Sequence, residues 1–377
     1  MVELSEARLA EDLLRSAVSA LRDRLPVTWS VTVQREPKRQ DGLRPDAYLS
    51  VCAPGGPEAI FVVEVKSSIT PRFVPALREQ LGRLRHGLPG SVGMAVAPYL
   101  AEPTRNHLVE AGLSYLDATG NMLVRADEIG LFISDRGAQA DPRRGPGRPK
   151  EGLKGEPAAK VVRALVDIRG PWQIRNLIAE SRASTGSVYR VLEYLDEEAL
   201  ITRQNRRIYV TDWQEILRRW STDYRFLHTN RVSRWIAPRG LPALAERLRS
   251  TEVDYALTGS LAASAWSQYA PVKSAMLYTS EAAVAAEQWG LRETDTGANV
   301  LIAEPAYAVA QQRCRRELDG LVVAAPAQVV ADLMSGPGRA PAEAEELLDW
   351  MGRNESAWRK PQLEPVRFAT PDTHSTS

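Results

Sequence analysis

Two acidic residues and a lysine stand at the ends of two predicted strands in the N-terminal third of the chain. The run 60–66 is apolar apart from Glu64 and Lys66, and period-two alternation puts both on one face. Charged side chains in an apolar strand are costly unless they serve a purpose. Asp46 opens another predicted strand, 47–53, and could meet Glu64 if the strands are neighbours. Two carboxylates would hold Mg²⁺, which activates water and polarises a phosphodiester, while Lys66 would orient that water or stabilise developing charge.

Pro45-Asp46 followed by Glu64-Val65-Lys66 resembles the PD-(D/E)XK nuclease superfamily. The resemblance spans residues 3–125 and implies a restriction-endonuclease-like α/β fold. Glu11 is predicted on the inward stripe of the first helix and Gln80 on the inward side of the next, where members of the superfamily often carry an acid and some carry a glutamine. The resemblance implies a catalytic set of Asp46, Glu64, Lys66, Glu11 and Gln80, with Asp46 and Glu64 as metal ligands. The alternative is a partly buried ion pair in a domain that kept the fold and lost the reaction.

Residues 158–224 have the pattern of three helices followed by a hairpin. Apolar residues recur at helical spacing in each helix, and Ser184 with Thr185 offers N-cap chemistry to the third. The outward face of that helix carries short polar or planar side chains suited to base edges and phosphates: Thr185, Ser187, Tyr189 and Arg190. Two β-prone runs then enclose a polar turn with three arginines, which are predicted to contact phosphate or the minor groove: Arg203, Arg206 and Arg207.

The order and spacing of these elements resemble the winged helix–turn–helix regulators. That resemblance implies duplex DNA as the partner. The alternative is a small helical connector that makes protein contacts.

A short basic segment precedes this pattern. Gly147-Arg148-Pro149, flanked by Arg144 and Lys150, resembles an AT-hook, in which an extended arginine lies in the narrow minor groove of A·T tracts. Beside a winged helix such a hook would add affinity by tethering.

The C-terminal block, 225–360, begins with a predicted strand, a Gly259-Ser260 turn and a helix, which looks like the opening of a nucleotidyltransferase-type fold. Such enzymes need paired acids on the next strand, and the run 274–279 has none. We therefore predict a degenerate nucleotidyltransferase-like α/β domain, with Asp254, Ser260 and Arg339 in structural roles. A winged helix followed by such a domain resembles the AbiEi-type antitoxin and regulator families of bacteria, whose members bind promoter DNA and repress their own operon.

Length and composition bound these interpretations. A chain of 377 residues with 44% hydrophobic residues is expected to fold into several domains. We predict an α/β multidomain protein with a nuclease-like domain at 1–137, a basic linker at 138–157, a winged helix at 158–224, the C-terminal block and a flexible tail at 361–377. A net charge of +1 requires any nucleic-acid contact to come from a local patch.

The remaining compositional features concern the cell compartment. Two cysteines and four histidines offer neither a disulfide framework nor zinc-site spacing, and a reducing cytosol fits them best. The acidic N-terminus lacks a signal sequence, and no apolar run could span a membrane. The prediction is a cytoplasmic, nucleoid-associated bacterial protein.

The leading hypothesis is a DNA-binding transcriptional regulator or antitoxin-type repressor. The first alternative is a Mg²⁺-dependent DNA endonuclease in which the winged helix chooses the site; nucleotidyltransferase activity is not expected. The second alternative is an interaction protein that neutralises a cognate toxin or binds another protein. Homo-oligomer formation stays open.

Overall fold

A computed structural model describes residues 2–35, 44–139, 141, 142 and 152–361, with side chains from residue 10 onward. These residues form a mixed α/β structure with two seven-stranded mixed sheets, in agreement with the predicted α/β class. The chain divides into two compact units, Met1–Pro149 with Asp196–Ala199, and Lys150–Leu195 with Leu200–Ser377. The three residues of the predicted hook, Arg144, Arg148 and Lys150, lie outside the described residues, and so does the tail beyond residue 361. Of the helices described, none combines the length and apolarity that crossing a membrane requires.

The first unit is one mixed sheet between helices. Its elements are α1 (Val2–Arg22), β1 (Ser30–Arg35), β2 (Ala47–Cys52), β3 (Glu58–Val65), α2 (Val74–Leu84), β4 (Val92–Ala97), α3 (Glu102–Glu110), β5 (Ser114–Asp117), β6 (Met122–Ala126) and β7 (Leu131–Asp135). The strands lie in sequence order across the sheet. The β3–β4 and β4–β5 pairs are parallel and the other pairs are antiparallel.

Both faces of this sheet are covered. The apolar stripe of α1, which includes Leu14 and Val18, packs on one face, and α2 with α3 packs on the other through residues such as Leu81 and Leu108. Burial on two sides explains why β3 and β4 are nearly continuous apolar runs instead of alternating ones.

The second unit begins with helices and a hairpin. Its first elements are α4 (Gly155–Asp167), β8 (Ile168–Arg169), α5 (Ile174–Ser181), α6 (Thr185–Glu197), β9 (Ile201–Gln204) and β10 (Arg207–Val210). We call residues 155–210 the helix–hairpin segment. Trp172 forms a β-bridge with Ile208, so a third extended piece lies beside the hairpin.

A second sheet with its own helices follows. These elements are α7 (Trp213–Asp223), α8 (Phe226–Thr229), β11 (Arg231–Ile236), α9 (Gly240–Arg249), β12 (Ala256–Thr258), α10 (Gly259–Ala263), β13 (Ala275–Tyr278), α11 (Ala282–Gln288), β14 (Arg292–Glu293), β15 (Val300–Glu304), β16 (Arg315–Glu317), β17 (Leu321–Val323), α12 (Pro326–Met334), α13 (Ala340–Arg353), α14 (Glu355–Trp358) and β18 (Lys360–Pro361). The sheet order is β14-β11-β15-β13-β12-β17-β16. Pro361, the first residue of the predicted tail, pairs with Arg169 of β8.

The helix–hairpin segment and the second sheet share one hydrophobic core, although the sequence suggested two domains there. The core runs from Leu153 to Trp358 and includes residues of both parts. A polar connection crosses it: Arg163 of α4 is fully buried and hydrogen-bonds to Asp167 and to the Gln328 side chain of α12, at 2.9 Å each. The same guanidinium donates to the carbonyls of Val309 and Gln312. Arg163 thereby ties the first helix of the segment to the sheet domain.

Candidate functional site

Three predicted catalytic residues share one face of the first sheet. β2 and β3 are neighbours, with Ala47 opposite Val63, so the condition for Asp46 to meet Glu64 is fulfilled. Val62 packs in the core beneath α2 and α3, and alternation puts Glu64 and Lys66 on that same side. Asp46 precedes Ala47 by one residue. Strand register therefore brings two carboxylates that are 18 positions apart to one edge of the sheet.

Glu64 is the centre of this group, which we call the carboxylate cluster (Asp46, Glu64, Lys66 and Gln80). Its Oε2 accepts hydrogen bonds from Lys66 Nζ at 2.6 Å and from Gln80 Nε2 at 2.8 Å. Asp46 Oδ2 accepts from the backbone N–H of Val65 at 2.7 Å. The Glu64 side chain is only 3% exposed, whereas that of Lys66 is 40% exposed. Gln80, predicted to face inward, thus reaches the predicted acid directly.

Burial shapes the electrostatics of the cluster. Desolvation raises the pKa of Glu64 above its ordinary value, and the nearby charge of Asp46 raises it further. The hydrogen bonds from Lys66 and Gln80 act in the opposite direction. Lys66 and Gln80 therefore favour the charged form of an acid that its buried surroundings disfavour.

The oxygen atoms of the cluster suit a hard cation. Within the described part of the chain, neither Asp46 Oδ1 nor Glu64 Oε1 accepts a hydrogen bond, so each has lone pairs to offer a metal. Mg²⁺ characteristically takes one or two protein carboxylates and keeps several waters. Larger groups of three or more His, Cys, Asp or Glu side chains placed for a metal are absent from the described residues. Asp46 and Glu64 fit the smaller ligand set.

Glu11, the fifth predicted catalytic residue, is placed elsewhere. Its side chain is 43% exposed and pairs with Arg35 of β1 and with Arg15 of its own helix. Strand alternation explains the pairing of Glu11 with Arg35. Val33 packs on the α1 side of the sheet, and Arg35, two residues later, lies on that same side, opposite the face of the cluster. The expectation that Glu11 points inward is wrong, because a surface ion pair holds it at the edge of the apolar stripe.

Replacing Lys66 should lower the local stability around Glu64, because the buried carboxylate then has no cation beside it. In Lys66→Met the Glu64 carboxylate keeps only Gln80, and we expect the free energy of local opening to fall by about 1–2 kcal/mol at pH 8, less than for a fully buried pair because Lys66 is partly exposed. The folded-state pKa of Glu64 already lies above 4.5, so folding favours its protonated form and stability falls as pH rises above that value. The loss in Lys66→Met should therefore be smaller at pH 5 than at pH 8.

Hydrogen exchange of the peptide 58–66 measures this opening. Arg78→Met, which removes an exposed arginine from α2, is the matched control and should leave exchange unchanged. Adding Glu64→Gln to Lys66→Met should restore most of the protection. Equal losses at pH 5 and pH 8 would rule out the buried charge as their cause.

The third helix of the helix–hairpin segment begins as predicted. Ser184 Oγ accepts a hydrogen bond from the backbone N–H of Ser187 at 3.2 Å, which is the N-cap arrangement. Ser187 itself is only 6% exposed, bonds to Ser184 through its hydroxyl and accepts from Arg190 Nη2 at 3.2 Å. The prediction that Ser187 contacts bases is wrong, because its hydroxyl is used inside the capping turn.

The other predicted contact residues of α6 face solvent. Thr185 and Arg190 are exposed, and Tyr189 is 49% exposed, a large fraction for an aromatic side chain. Arg190 also lies against its own helix, with Nε donating to the carbonyl of Gly186 at 3.4 Å. Together they present a short hydroxyl, a planar ring and a guanidinium at the start of one helix.

The hairpin exposes all three predicted arginines. Gln204 pairs with Arg207, so Asn205 and Arg206 form a two-residue turn, and their φ angles are 51° and 61°. Such a turn requires positive φ at both central residues and is typically Asn-Gly. Arginine occupies the glycine position here. Among the described residues, Arg203, Arg206 and Arg207 have no carboxylate within ion-pair distance, so their charges face solvent.

Two further exposed arginines were not predicted. Arg175 lies in the first turn of α5, and Arg182 ends that helix in the left-handed conformation at φ 52°, three residues before Thr185. Their signal in the sequence is weak, because isolated arginines are common on helix surfaces.

The C-terminal Gly-Ser turn is engaged in packing, as its predicted structural role requires. Ser260 donates to Glu343 of α13, which also pairs with Arg339. A fully buried acid that the sequence did not single out lies nearby: Asp332 accepts from Thr258 Oγ1 at 2.5 Å and from Tyr278 OH at 2.7 Å. Desolvation raises the pKa of Asp332 to about 6. The carboxylates of Glu343 and Asp332 are therefore both engaged by side chains of the protein itself.

Comparison with known proteins adds no assignment. No protein-family model matches this chain, and no curated protein matches it.

Proposed function

We propose that this protein binds duplex DNA through the helix–hairpin segment, as a transcriptional regulator or antitoxin-type repressor. The chain passes through α4, the bridging residue Trp172, α5, α6 and then the hairpin, which is the order that winged helices use. In such modules the third helix enters the major groove and the hairpin lies against the backbone or minor groove. Thr185, Tyr189 and Arg190 would then contact bases and phosphates.

The hairpin turn is the observation that carries this proposal. A non-glycine residue in the left-handed region costs roughly 1–2 kcal/mol, and Arg206 adopts it without a carboxylate partner in the described residues. Arg203 and Arg207 flank it with charges that are likewise unpaired there. Folding alone does not account for an arginine at this turn position with two further arginines beside it. A polyanionic partner does, because each phosphate contact releases bound counterions.

The proposal extends to the predicted hook. Arg144, Arg148 and Lys150 precede the helix–hairpin segment in the chain and would add minor-groove contacts by tethering. Partner proteins, including a cognate toxin, remain a prediction.

Arg206→Gly separates folding from binding in one substitution. We expect the salt slope of duplex affinity, log K against log salt, to become shallower by about one, because one phosphate contact is lost. The same change should raise the free energy of unfolding by up to about 1 kcal/mol, because glycine suits positive φ. Fluorescence anisotropy over a salt series and urea unfolding measure the two effects.

Arg292→Gln is the matched control for charge, since it removes one exposed arginine from β14. It should leave the salt slope unchanged. A wild-type protein that binds no duplex at low salt, or an Arg206→Gly variant with an unaltered slope, contradicts the proposal.

A second candidate function rests on the carboxylate cluster. The joint placement of Asp46, Glu64, Lys66 and Gln80 is the arrangement that a PD-(D/E)XK-type site would use, and it supports a Mg²⁺-dependent DNA endonuclease. Asp46 and Glu64 would hold the ion, whose chemistry would be to supply an activated water and to polarise the phosphodiester. Lys66, held beside Glu64 and partly exposed, would orient water or stabilise negative charge, and Gln80 would position Glu64. Magnesium-dependent plasmid nicking tests this candidate.

A further inference from the structure

A pocket of about 250 Å³ lies within the second unit, where α4 ends and α12 begins. Its lining includes Asp167, Arg313, Cys314, Arg315 and Lys360. At about 30 Å³ per water molecule, the space corresponds to roughly eight waters and suits a ligand smaller than a drug-sized molecule.

One buried acceptor in this lining is unsatisfied. The Asp167 side chain is 5% exposed, and its Oδ2 accepts from Arg163 at 2.9 Å and from Arg313 at 3.1 Å. Its Oδ1 is buried with no hydrogen-bond partner in the described structure. An unsatisfied buried oxygen is costly and uncommon in folded proteins, so a hydrogen-bond donor is expected at this position.

The rest of the lining carries excess positive charge. Arg313 is neutralised, because it pairs with Glu180 as well as Asp167. Arg315 donates to the backbone carbonyls of Ala357 and Trp358, which are uncharged acceptors. Lys360 is exposed, and within the described residues neither it nor Arg315 has a carboxylate partner. The pocket therefore offers two cations that have no carboxylate partner among the described residues, and one acceptor.

We propose that this pocket binds a small organic anion that also carries a hydroxyl or amino group. The anionic end, a phosphate or carboxylate, lies against Arg315 and Lys360, where charge-assisted hydrogen bonds are available. The hydroxyl or amino group donates to Asp167 Oδ1. This site does not depend on the proposed function, and its test uses no DNA.

Calorimetric titration of the full chain with sn-glycerol 3-phosphate and O-phosphoethanolamine tests the proposal and distinguishes the hydroxyl from the amine. We expect at least one of them to bind at one site with a Kd below about 1 mM. Glycerol, which lacks the anion, and methyl phosphate, which lacks the additional donor, should each bind at least about tenfold more weakly.

Two variants and one control locate the site. Arg315→Gln and Lys360→Gln should each weaken binding about tenfold or more, while Arg316→Gln, a neighbour outside the lining, should not. Bound probe should also slow alkylation of Cys314 without affecting Cys52, the other free thiol. The proposal is overturned by absence of binding, by equal affinity for methyl phosphate, or by binding that survives both Arg315→Gln and Lys360→Gln.

Discussion

An Arg163→Met variant is expected to lose about 3–5 kcal/mol of the free energy of unfolding of the second unit. Arg163 has no exposed surface and hydrogen-bonds to four partners: Asp167, Gln328 and two backbone carbonyls. Methionine fills similar space but donates nothing, so the Gln328 amide oxygen and the Gln312 carbonyl lose their partner, while the Val309 carbonyl keeps the backbone N–H of Gln312. Asp167 keeps Arg313 alone. The loss combines an incompletely paired buried charge with two acceptors that no longer have a donor.

Tryptophan fluorescence during urea unfolding measures this loss. Eight of the nine tryptophans lie from Trp172 onward, so the signal reports mainly on the second unit. Lys160→Met is the matched control, because Lys160 lies in the same helix and its ion pair with Glu156 is near the surface. Its loss should lower the free energy of unfolding by less than about 0.5 kcal/mol. A change below about 1 kcal/mol in Arg163→Met would show that α4 is held to α12 by apolar packing instead.

A Lys66→Met variant is expected to lower the rate of Mg²⁺-dependent plasmid nicking by about 100-fold or more. Lys66 Nζ lies 2.6 Å from Glu64 and its side chain is 40% exposed, so it can reach both the acid and a bound phosphodiester. Removal of a donor that stabilises developing charge typically has an effect of this size. Glu64→Gln should lower the rate at least as far, because it removes one of the two proposed metal ligands.

Controls separate this result from a contaminating nuclease and from loss of DNA binding. Arg78→Met removes an exposed cation from α2 and should nick at the wild-type rate. Duplex affinity of Lys66→Met should stay near that of the wild type, since binding is assigned to the helix–hairpin segment. Absence of metal-dependent nicking in the wild type refutes the endonuclease and leaves the DNA-binding proposal standing, because the two proposals rest on different residues.

The carboxylate cluster shows how far sequence reasoning extends. Alternation along 60–66 correctly predicted that Glu64 and Lys66 share a face. The meeting with Asp46 was conditional on β2 and β3 being neighbours, and it held because those strands pair with Ala47 opposite Val63. Heptad position placed Glu11 inward, yet Arg35 holds it half exposed. An apolar stripe identifies candidates for burial. Whether a residue at the edge of that stripe is buried depends on its ion pairs with other elements.

In the second unit, the helix cap and the hairpin turn could be predicted from the sequence, whereas the buried arginine could not. The cap at Ser184 and the polar turn at Asn205 and Arg206 were visible in the sequence, because caps and turns depend on a few adjacent residues. Arg163 gave no signal, since an arginine in a helical stripe is normally exposed. It is fully buried because Gln328, 165 positions away, and two distant carbonyls supply its partners.

The sequence by itself determined the α/β class, the main helices and strands, and which charged residues share a strand face. These follow from periodicity and from steric preferences that act over a few residues. Tertiary structure alone decided that the Ser187 hydroxyl lies inside the capping turn, that Glu11 pairs with Arg35, and that one Asp167 oxygen has no partner among the described residues. Burial and hydrogen-bond satisfaction depend on partners from distant parts of the chain, which local sequence patterns do not specify.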